Sequence, residues 1–569
     1  MHTARRRTTG LHISSPPRSP HILPHTPQNK SRRSGTITLF LLAFITLIAF
    51  IHFLYPSNPS HSLFPNHAPS SLKPLNYFNV SSNAPNPFSF CPAYGPGDEL
   101  GSRYGVLALE QSRMHLGSST RVQRVIQKAM AGQPVTISVI GGSVSTCHGA
   151  GDDPISPTCY PALFFNWWNT IFPHPATELT NGALRRTNSA YFGYCSAHHV
   201  PDVTDLIIIE LDVDDSPTDA DAFNFEVLIR SLLLREDKPA VLLLGHFSPQ
   251  TYRTWGFHGP DQFHNTVAQY YDLPHISIKP ALLSHMQKNQ DTLKPYFADA
   301  VLASPLGHSL LADTLSAYIQ SQICATWSAV TSAVPLLTLR PQERNGKKEG
   351  HGIFGGIGER KGVLPWNDQH KAPGTNDDVD ADGNPKHPVR FNIDDGQPLR
   401  QGLVSIRTAE NDDRPFEEIA PSCVAANDLI NPLPASIFYG SGWSTQHPPL
   451  GSSPTDMSKQ TSTAHYWYST VPLSKLRVPI EVGRGDVGVY FIKEPISQVG
   501  EGSSVECWVD DNYAGARVLE NAGDVGESKP VLEWIDHHVS RGSHYVECQL
   551  MGEEDEGVPM FKIIAVFSS

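Results

Sequence analysis

The chain of 569 residues is longer than one hydrophobic core supports, so we expect two folded domains together with non-globular segments. Only 17% of the residues are charged and 48 are proline, a composition that argues against a helical cytosolic enzyme and is typical of a loop-rich ectodomain. The formal net charge of -13 argues against polyanion binding by the whole chain, so no nucleic-acid partner is expected.

An uncharged apolar run covers residues 36–55 and follows a basic tail over residues 1–35, which its composition predicts to be disordered. At about 1.5 Å per residue, a helix of this length crosses a hydrocarbon layer of roughly 30 Å. Basic residues before the run predict a cytosolic amino terminus, and a cleaved signal peptide is the alternative. We therefore expect a single-pass type II membrane protein of the Golgi, secretory pathway or plasma membrane, with its bulk luminal or extracellular.

Residues 56–98 are rich in proline, serine and asparagine and are predicted to form a stem. The eight cysteines show no CxxC spacing, which gives little support for a thiolate zinc cluster. In an oxidising lumen they could form up to four disulfides. We pair Cys147 with Cys159 and Cys507 with Cys548, because each pair lies within one predicted domain.

Apolar strands and helices alternate over residues 99–327. Strands are predicted at 135–140, 177–180, 206–211, 240–244 and 276–278, and helices at 119–131, 160–172, 222–234, around 267–271 and at 307–320. This alternation is typical of an α/β fold with a doubly wound parallel sheet. The chain has no GxGxxG turn and no P-loop, so a dinucleotide or triphosphate site is not expected.

The first of these strands ends at Gly141 and Gly142, and Ser143 follows. Two glycines let the backbone turn where a Cβ would clash, which places Ser143 at the carboxyl end of the strand. Open α/β sheets bind their ligands at that edge, so a nucleophile would stand there. An ordinary strand-to-loop turn is the alternative interpretation.

The pattern changes after the α/β region. Residues 328–430 lack apolar periodicity and are predicted to be a linker and insertion. Over residues 431–569, short alternating segments predict a β-sandwich of jelly-roll type, with strands at 464–470, 478–482, 487–492, 504–509, 544–550 and 561–567. Several aromatic residues there could stack on sugar rings or fill the core, namely Trp443, Trp467, Tyr468 and Trp508.

The α/β region resembles the SGNH, or GDSL-like, hydrolases, and most closely their membrane-anchored fungal branch of capsule-associated proteins. The resemblance rests on the order and spacing of three stretches, ISVIGGSVSTCHGAGDD, NGALRRTNSAYFGYCSAHHVPDVTDLIIIELDVDD and FADAVLASPLGHSLLAD. It implies a flavodoxin-like α/β domain without a metal or other cofactor.

In that superfamily a serine is the nucleophile, a glycine and an asparagine donate to the oxyanion, and an Asp-x-x-His supplies the base. The resemblance assigns the nucleophile to Ser143 and the acidic residue of the last motif to Asp299. The glycine position falls at Arg186 and the asparagine position at Asp214. The residue three after Asp299 is Leu302 rather than histidine.

Asp214 could donate to an oxyanion only if it were protonated. If the strand continues, Glu210 and Asp212 share its face, and their repulsion could hold Asp214 neutral. The three carboxylates could instead attract a divalent cation or form a solvated acidic loop.

Arg186 could serve as a cationic oxyanion donor, hold an acidic glycan or pair with Asp214. Asn181 in the same stretch is a further candidate for oxyanion or substrate binding. The nearest substitute for the missing base is His308, because a serine without a base is a poor nucleophile. Other histidines lie near predicted strand ends, namely His148, His198, His199 and His246.

These features predict hydrolysis or transfer of O-acetyl groups on a cell-surface or capsule polysaccharide, with Ser143, Asp299 and His308 as the catalytic set. The alternative is a catalytically inactive protein of the same fold that binds glycan or acts as a scaffold in capsule or cell-wall assembly. Loss of the glycine, asparagine and histidine equivalents supports that alternative.

Overall fold

The computed structural model describes residues 66–79, 85–151, 153–331, 399, 402–405, 416–428, 433–438, 440–448, 461–553 and 557–569. The predicted basic tail and transmembrane segment lie outside these residues, as does most of the predicted linker. Within the described ranges, no helix is both long and apolar enough to cross a membrane.

The α/β region contains strands β1 (Asn66–His67), β2 (Arg113–His115), β3 (Thr136–Gly141), β4 (Glu178–Asn181), β5 (Leu206–Glu210), β6 (Ala240–Gly245) and β7 (His275–Ser277). Its helices are α1 (Glu99–Tyr104), α2 (Val106–Gln111), α3 (Thr120–Met130), α4 (Tyr160–Ile171), α5 (Ser189–Cys195), α6 (Asp219–Leu233), α7 (Pro249–Trp255), α8 (Asp261–Tyr271), α9 (Lys279–Lys288) and α10 (Pro305–Thr331). The predicted alternation of strands and helices is confirmed.

The sheet has the strand order β1-β4-β3-β5-β6-β7-β2. Its five central strands run parallel, as predicted. The two edge strands β1 and β2 are antiparallel to their neighbours, so the sheet is mixed rather than wholly parallel. We did not predict these edges, because two or three residues are too few to show a hydrophobic period.

The central strands are buried on both faces. On β5, Ile208 joins the core formed with helices α3, α4 and α10, whereas Ile207 and Ile209 join the core formed with α5, α6 and α8. Successive side chains of a strand point to opposite faces, so a strand covered by helices on both sides needs apolar residues throughout. This is the physical basis of the continuous apolar runs in the sequence.

The carboxyl-terminal region contains strands β8 (Ser422–Ala425), β9 (Ser444–Gln446), β10 (Tyr466–Ser469), β11 (Lys475–Val482), β12 (Val487–Pro495), β13 (Ser504–Val509), β14 (Arg517–Glu520), β15 (Ala522–Gly523), β16 (Lys529–Asp536), β17 (Gly542–Leu550) and β18 (Phe561–Ser568), with one short helix α11 (Ile496–Val499). One sheet has the order β15-β12-β18-β10-β9, with β16 also paired to β12 and β8 to β18. The other has the order β11-β17-β13-β14. Five strands were not predicted, namely β8, β9, β14, β15 and β16. Strands β8, β9 and β15 have only two to four residues, β14 is mostly exposed, and β16 contains Pro530. Strand β8 lies within the segment that was predicted to be a linker.

Two strands of the larger sheet, β12 and β18, are also buried on both faces. Val489 and Phe491 of β12 pack into the core between the two sheets, whereas Tyr490 and Ile492 pack into the α/β core beside α5. On β18, Phe567 stacks on Tyr194 of α5 with ring centroids 5.0 Å apart. The two regions therefore share one continuous hydrophobic interface.

All eight cysteines lie in the described residues and are paired. The two predicted disulfides, Cys147–Cys159 and Cys507–Cys548, are confirmed. The other two bridges join cysteines 233 and 228 residues apart, namely Cys91–Cys324 and Cys195–Cys423. The second of these links α5 to β8 across the interface between the two regions.

Phe567→Ala should lower the free energy of unfolding by about 3–5 kcal/mol, because it removes a fully buried ring from the shared interface. Urea denaturation of the purified protein measures the change. Tyr513→Ala is the matched control, since 58% of that side chain is exposed and its loss should cost much less. Equal destabilisation by the two variants would contradict the shared interface.

Candidate active site

Ser143 lies on the turn that follows β3, and only 6% of its surface is exposed. Its Oγ donates to Oδ1 of Asp214 at 2.8 Å, and its main-chain N–H donates to Oδ2 of the same carboxylate at 2.7 Å. One carboxylate thus holds both the backbone and the hydroxyl of the predicted nucleophile.

The two glycines before Ser143 allow this contact. A Cβ at Gly142 would lie 2.0 Å from Oδ2 of Asp214, and a Cβ at Gly141 would lie 2.2 Å from Oγ of Ser145. Neither separation is sterically possible, so only residues without a side chain fit here. Gly142 therefore serves the approach of Asp214 to Ser143, whereas Gly141 makes room for Ser145. The fit of Gly142 to Asp214 favours a built site over a generic turn.

Arg186 presents its backbone, and not its side chain, to Ser143. Its main-chain N–H donates to Ser143 Oγ at 3.0 Å. Its φ of 50° lies in the left-handed region that glycine favours, which agrees with the glycine expected at this position. The guanidinium instead pairs with Glu527 at 3.0 Å, and both side chains are largely exposed. The predicted roles for the guanidinium, as oxyanion donor or as partner of Asp214, are not what the structure shows.

The carboxyl-terminal sheets hold the turn that carries Arg186. Arg185 forms a backbone bridge to Thr461, and Thr187 Oγ1 donates to Ser462 Oγ at 3.0 Å. Thr187 and Ser462 are fully buried. The donor that faces Ser143 is therefore positioned by contacts with the second region of the chain.

Asp214 is partly buried, and this burial together with the nearby charge of Asp215 raises its pKa to about 6. The hydrogen bonds from Ser143 and the charge of Arg186 oppose this rise. The Asp214 side chain therefore changes between an acid and a carboxylate near neutral pH.

The carboxylates of Glu210, Asp212 and Asp214, which were predicted to share one face, have different hydrogen-bond partners. Glu210 accepts a hydrogen bond from Ser145 Oγ at 3.0 Å, and burial, with Asp214 and Asp212 beside it, raises its pKa well above the ordinary value. Asp212 accepts from His264 Nδ1 at 2.6 Å. Within the described part of the chain, no group of three or more histidine, cysteine or acidic side chains is arranged to hold a metal ion.

His264, on α8, is the residue that sequence reasoning missed. Its second nitrogen contacts Asp215 Oδ2 at 2.9 Å, so the ring lies between two carboxylates. Burial disfavours its charge, but the hydrogen bonds to Asp212 and Asp215 outweigh burial and raise its pKa to about 9. A lone histidine on an apolar helix face gives no spacing signal. The one available signal was the pair of acidic residues after β5, which need a cation when buried.

The structure does not join Asp299 or His308 to Ser143. Asp299 is exposed, and its Oδ1 accepts from the N–H groups of Val301 and Leu302 at 2.7 Å each. Leu302, at the expected histidine position, lies near the loop after Ser143, with its Cβ 3.4 Å from where a Cβ of Gly149 would be.

His308 is fully buried and its Nδ1 accepts from the N–H of Tyr160 at 3.3 Å. Burial, and then the charge of His246, lower its pKa to about 3. Among the residues described, the hydrogen bonds of Ser143 Oγ go to Asp214 and Arg186, and none goes to an imidazole.

Other predicted site residues serve local structure. The Asn181 amide donates to the carbonyls of Ser145 at 2.8 Å and Pro154 at 2.9 Å, so it holds the loop after the nucleophile rather than a ligand. The alternative histidines are engaged elsewhere or buried: His246 near the Val301 carbonyl, His199 near the Tyr191 hydroxyl, His198 beside Asp428, and His148 with 1% exposure. Three of the candidate sugar-stacking residues are core residues instead, Trp443, Trp467 and Trp508.

No protein-family model and no curated protein matches the chain. Among solved structures, the chain is similar to a two-domain esterase active on acetylated mannans, crystallised with mannopentaose. The identity is 18%, the match covers 81% of this chain and 97% of that chain, and the TM-score is 0.50.

Two further solved structures match about a third of the chain. A lipase/acylhydrolase from Enterococcus faecalis has 16% identity over 33% of this chain and 96% of that chain, with a TM-score of 0.25. A lipolytic protein of the G-D-S-L family from Desulfitobacterium hafniense has 14% identity over 32% and 99%, with a TM-score of 0.26. The match to the two-domain esterase shows a shared fold.

Arg186→Gly should be more stable than Arg186→Ala by about 1 kcal/mol, because a left-handed backbone penalises the Cβ of alanine. Both variants lose the exposed ion pair with Glu527, so their difference isolates the backbone. Thermal and urea denaturation of the two variants measure it. An alanine variant as stable as the glycine variant would contradict the left-handed turn.

Proposed function

We propose that this chain is a polysaccharide O-acetyl esterase, or a related acetyltransferase, with Ser143 as its nucleophile. The observation that carries the proposal is the position of Ser143 Oγ between the N–H of Arg186 and the carboxylate of Asp214. Acyl transfer needs a hydrogen-bond donor where negative charge develops and a group close to the hydroxyl proton. Both are in place at the carboxyl end of a central strand.

An acetylated polysaccharide is the substrate class that the comparisons support. The two-domain esterase that shares this fold acts on acetylated mannans. The resemblance of the three sequence stretches to membrane-anchored capsule-associated proteins supports a cell-surface or capsule glycan.

The four disulfides support a location in an oxidising compartment. In this proposal the apolar run over residues 36–55 anchors the chain in a membrane of the secretory pathway or at the cell surface, and the active site faces the lumen or exterior.

In the proposed reaction, Ser143 Oγ attacks the carbonyl carbon of the acetyl ester. The Arg186 N–H lies beside Oγ and can donate to the oxygen that becomes negative on the same carbon. The sugar hydroxyl leaves and acetyl-Ser143 forms. Water then releases acetate, or a second sugar hydroxyl accepts the acetyl group. The sequence suggested His308 as a substitute base beside Asp299, but in the free protein neither residue bonds to Ser143.

A non-catalytic glycan-binding protein is the second candidate function. Two observations favour it: within the described residues no imidazole bonds to Ser143, and the hydroxyl is nearly enclosed. Such a protein would keep the fold and bind acetylated glycan without turnover.

The purified full-length protein should release acetate from acetylated mannan and hydrolyse 4-nitrophenyl acetate. Ser143→Ala should lower kcat/KM by about 10⁴-fold or more, because the nucleophile is lost. Ser102→Ala, an exposed serine on α1, is the matched control and should retain full activity.

A fluorophosphonate probe should label the wild-type protein at Ser143 and leave Ser143→Ala unlabelled. If the folded wild-type protein neither releases acetate nor takes up the probe, the esterase proposal fails. Binding of acetylated mannan without turnover would then support the second candidate.

A further inference from the structure

We infer that Asp214 is the general base of this site, accepting the proton of Ser143 in place of an imidazole. The inference rests on the proposed function, since it assigns a role within the same acyl-transfer reaction. It changes the part that the sequence suggested for Asp214, which was an oxyanion or substrate contact.

The hydrogen bonds at Ser143 fix the direction of its proton. The Arg186 N–H can only donate, so Ser143 Oγ accepts from it at 3.0 Å. The hydroxyl proton is left to point at the nearest acceptor, which is Asp214 Oδ1 at 2.8 Å. A general base has to lie within hydrogen-bond reach of the proton it removes, and Asp214 meets this requirement in the free protein.

The carboxylate is held in this orientation before any substrate arrives. Its Oδ2 accepts from the Ser143 N–H at 2.7 Å, which stops the group from rotating away. Gly142 leaves the space that the carboxylate occupies, because a Cβ there would overlap Oδ2. A preorganised acceptor needs little rearrangement at the moment of proton transfer.

Several charged groups surround Asp214 and set when it can accept a proton. Asp215 lies beside it on the same loop, Glu210 lies on β5, and the Arg186 guanidinium lies on the turn after β4. Farther out, His264 on α8 lies between Asp212 and Asp215. Burial is the largest influence, and the pKa of Asp214 is raised to about 6.

A pKa of about 6 is close to the values that suit a general base at neutral pH. A base is most effective when its pKa is near the working pH, and an ordinary aspartate at about 3.9 is a weaker proton acceptor. Below about pH 6 the Asp214 side chain is protonated and cannot accept the serine proton. Above it the carboxylate is ionised, so activity should rise with pH through that region.

In each half of the reaction, Asp214 accepts one proton and gives it back. As Ser143 Oγ bonds to the acetyl carbon, its proton moves to Asp214 Oδ1 and the carbonyl oxygen becomes the oxyanion. When the ester C–O bond breaks, the leaving sugar oxygen takes that proton and acetyl-Ser143 remains. Water then attacks the acetyl-serine and gives one proton to Asp214, which returns it to Ser143 Oγ as acetic acid leaves and ionises in solution.

Asp214→Asn separates this role from that of an oxyanion donor. The amide has nearly the same shape, and it restores the residue that the superfamily resemblance expects at this position. An amide can donate to an oxyanion but cannot accept the serine proton. If Asp214 is the general base, kcat/KM should fall by about 10²–10⁴-fold in Asp214→Asn. If the side chain at position 214 is instead an oxyanion donor, Asp214→Asn should be as active as the wild type or more active.

The experiment uses full-length wild-type protein, Asp214→Asn, His308→Gln and the exposed control Asp291→Asn on 4-nitrophenyl acetate from pH 4 to 8. Circular dichroism and thermal melting show whether each variant is folded. The wild-type kcat/KM should rise about tenfold per pH unit below about 6 and level off above it. This pH profile is measured on the wild-type protein, so the test remains valid even if a variant fails to fold.

Three results would overturn the inference. They are a wild-type profile that is flat over the whole range, an Asp214→Asn variant as active as the wild type, and loss of turnover in His308→Gln alone. With Ser143→Ala still inactive, each leaves the proposed function standing and moves the base elsewhere. An inactive wild type with Ser143 unlabelled overturns both the proposed function and this role.

Discussion

Burial of strands β12 and β18 on both faces joins the α/β region to the carboxyl-terminal sheets. Strands β12 and β18 place alternate side chains in the core between the two carboxyl-terminal sheets and in the core of the α/β region. The sheet therefore cannot separate from α5 without exposing Tyr490, Ile492 and Phe567 to water, and apolar burial is the main favourable term in folding. The Cys195–Cys423 bridge reinforces the same interface.

This interface reaches the active site through the turn that carries Arg186. The backbone of Arg185 and the hydroxyl of Thr187 are bound by Thr461 and Ser462, so the second region positions the N–H that faces Ser143. A left-handed arginine is an unfavourable backbone state, and such states persist where surrounding contacts determine them. The site is therefore a product of both regions, although its nucleophile and its acceptor belong to the α/β region alone.

Burying a carboxylate costs free energy, and the acidic residues near Ser143 meet this cost with different partners. Asp212 and Asp215 share the buried ring of His264, and their hydrogen bonds keep that ring protonated at neutral pH. Asp214 has no such cation bonded to it and instead receives two hydrogen bonds from Ser143. Burial, with Asp215 beside it, raises the pKa of Asp214 to about 6 while the carboxylate contacts the nucleophile.

Local periodicity in the sequence was enough to predict several features. Strand β3, the alternation of strands and helices and the position of Ser143 at a strand end follow from runs of neighbouring residues. The disulfides Cys147–Cys159 and Cys507–Cys548 followed from the place of each pair within one predicted domain. The edge strands β1 and β2 and strands β8, β9, β14, β15 and β16 were missed, because short, exposed or proline-containing segments carry no clear period. The partners in the site depend on tertiary structure. Asp214 lies 71 residues from Ser143, and the donor at Arg186 is a backbone group that any residue except proline would supply. The role of His264 was equally hidden, since hydrogen-bond partners are set by how distant elements pack and no local pattern records that packing.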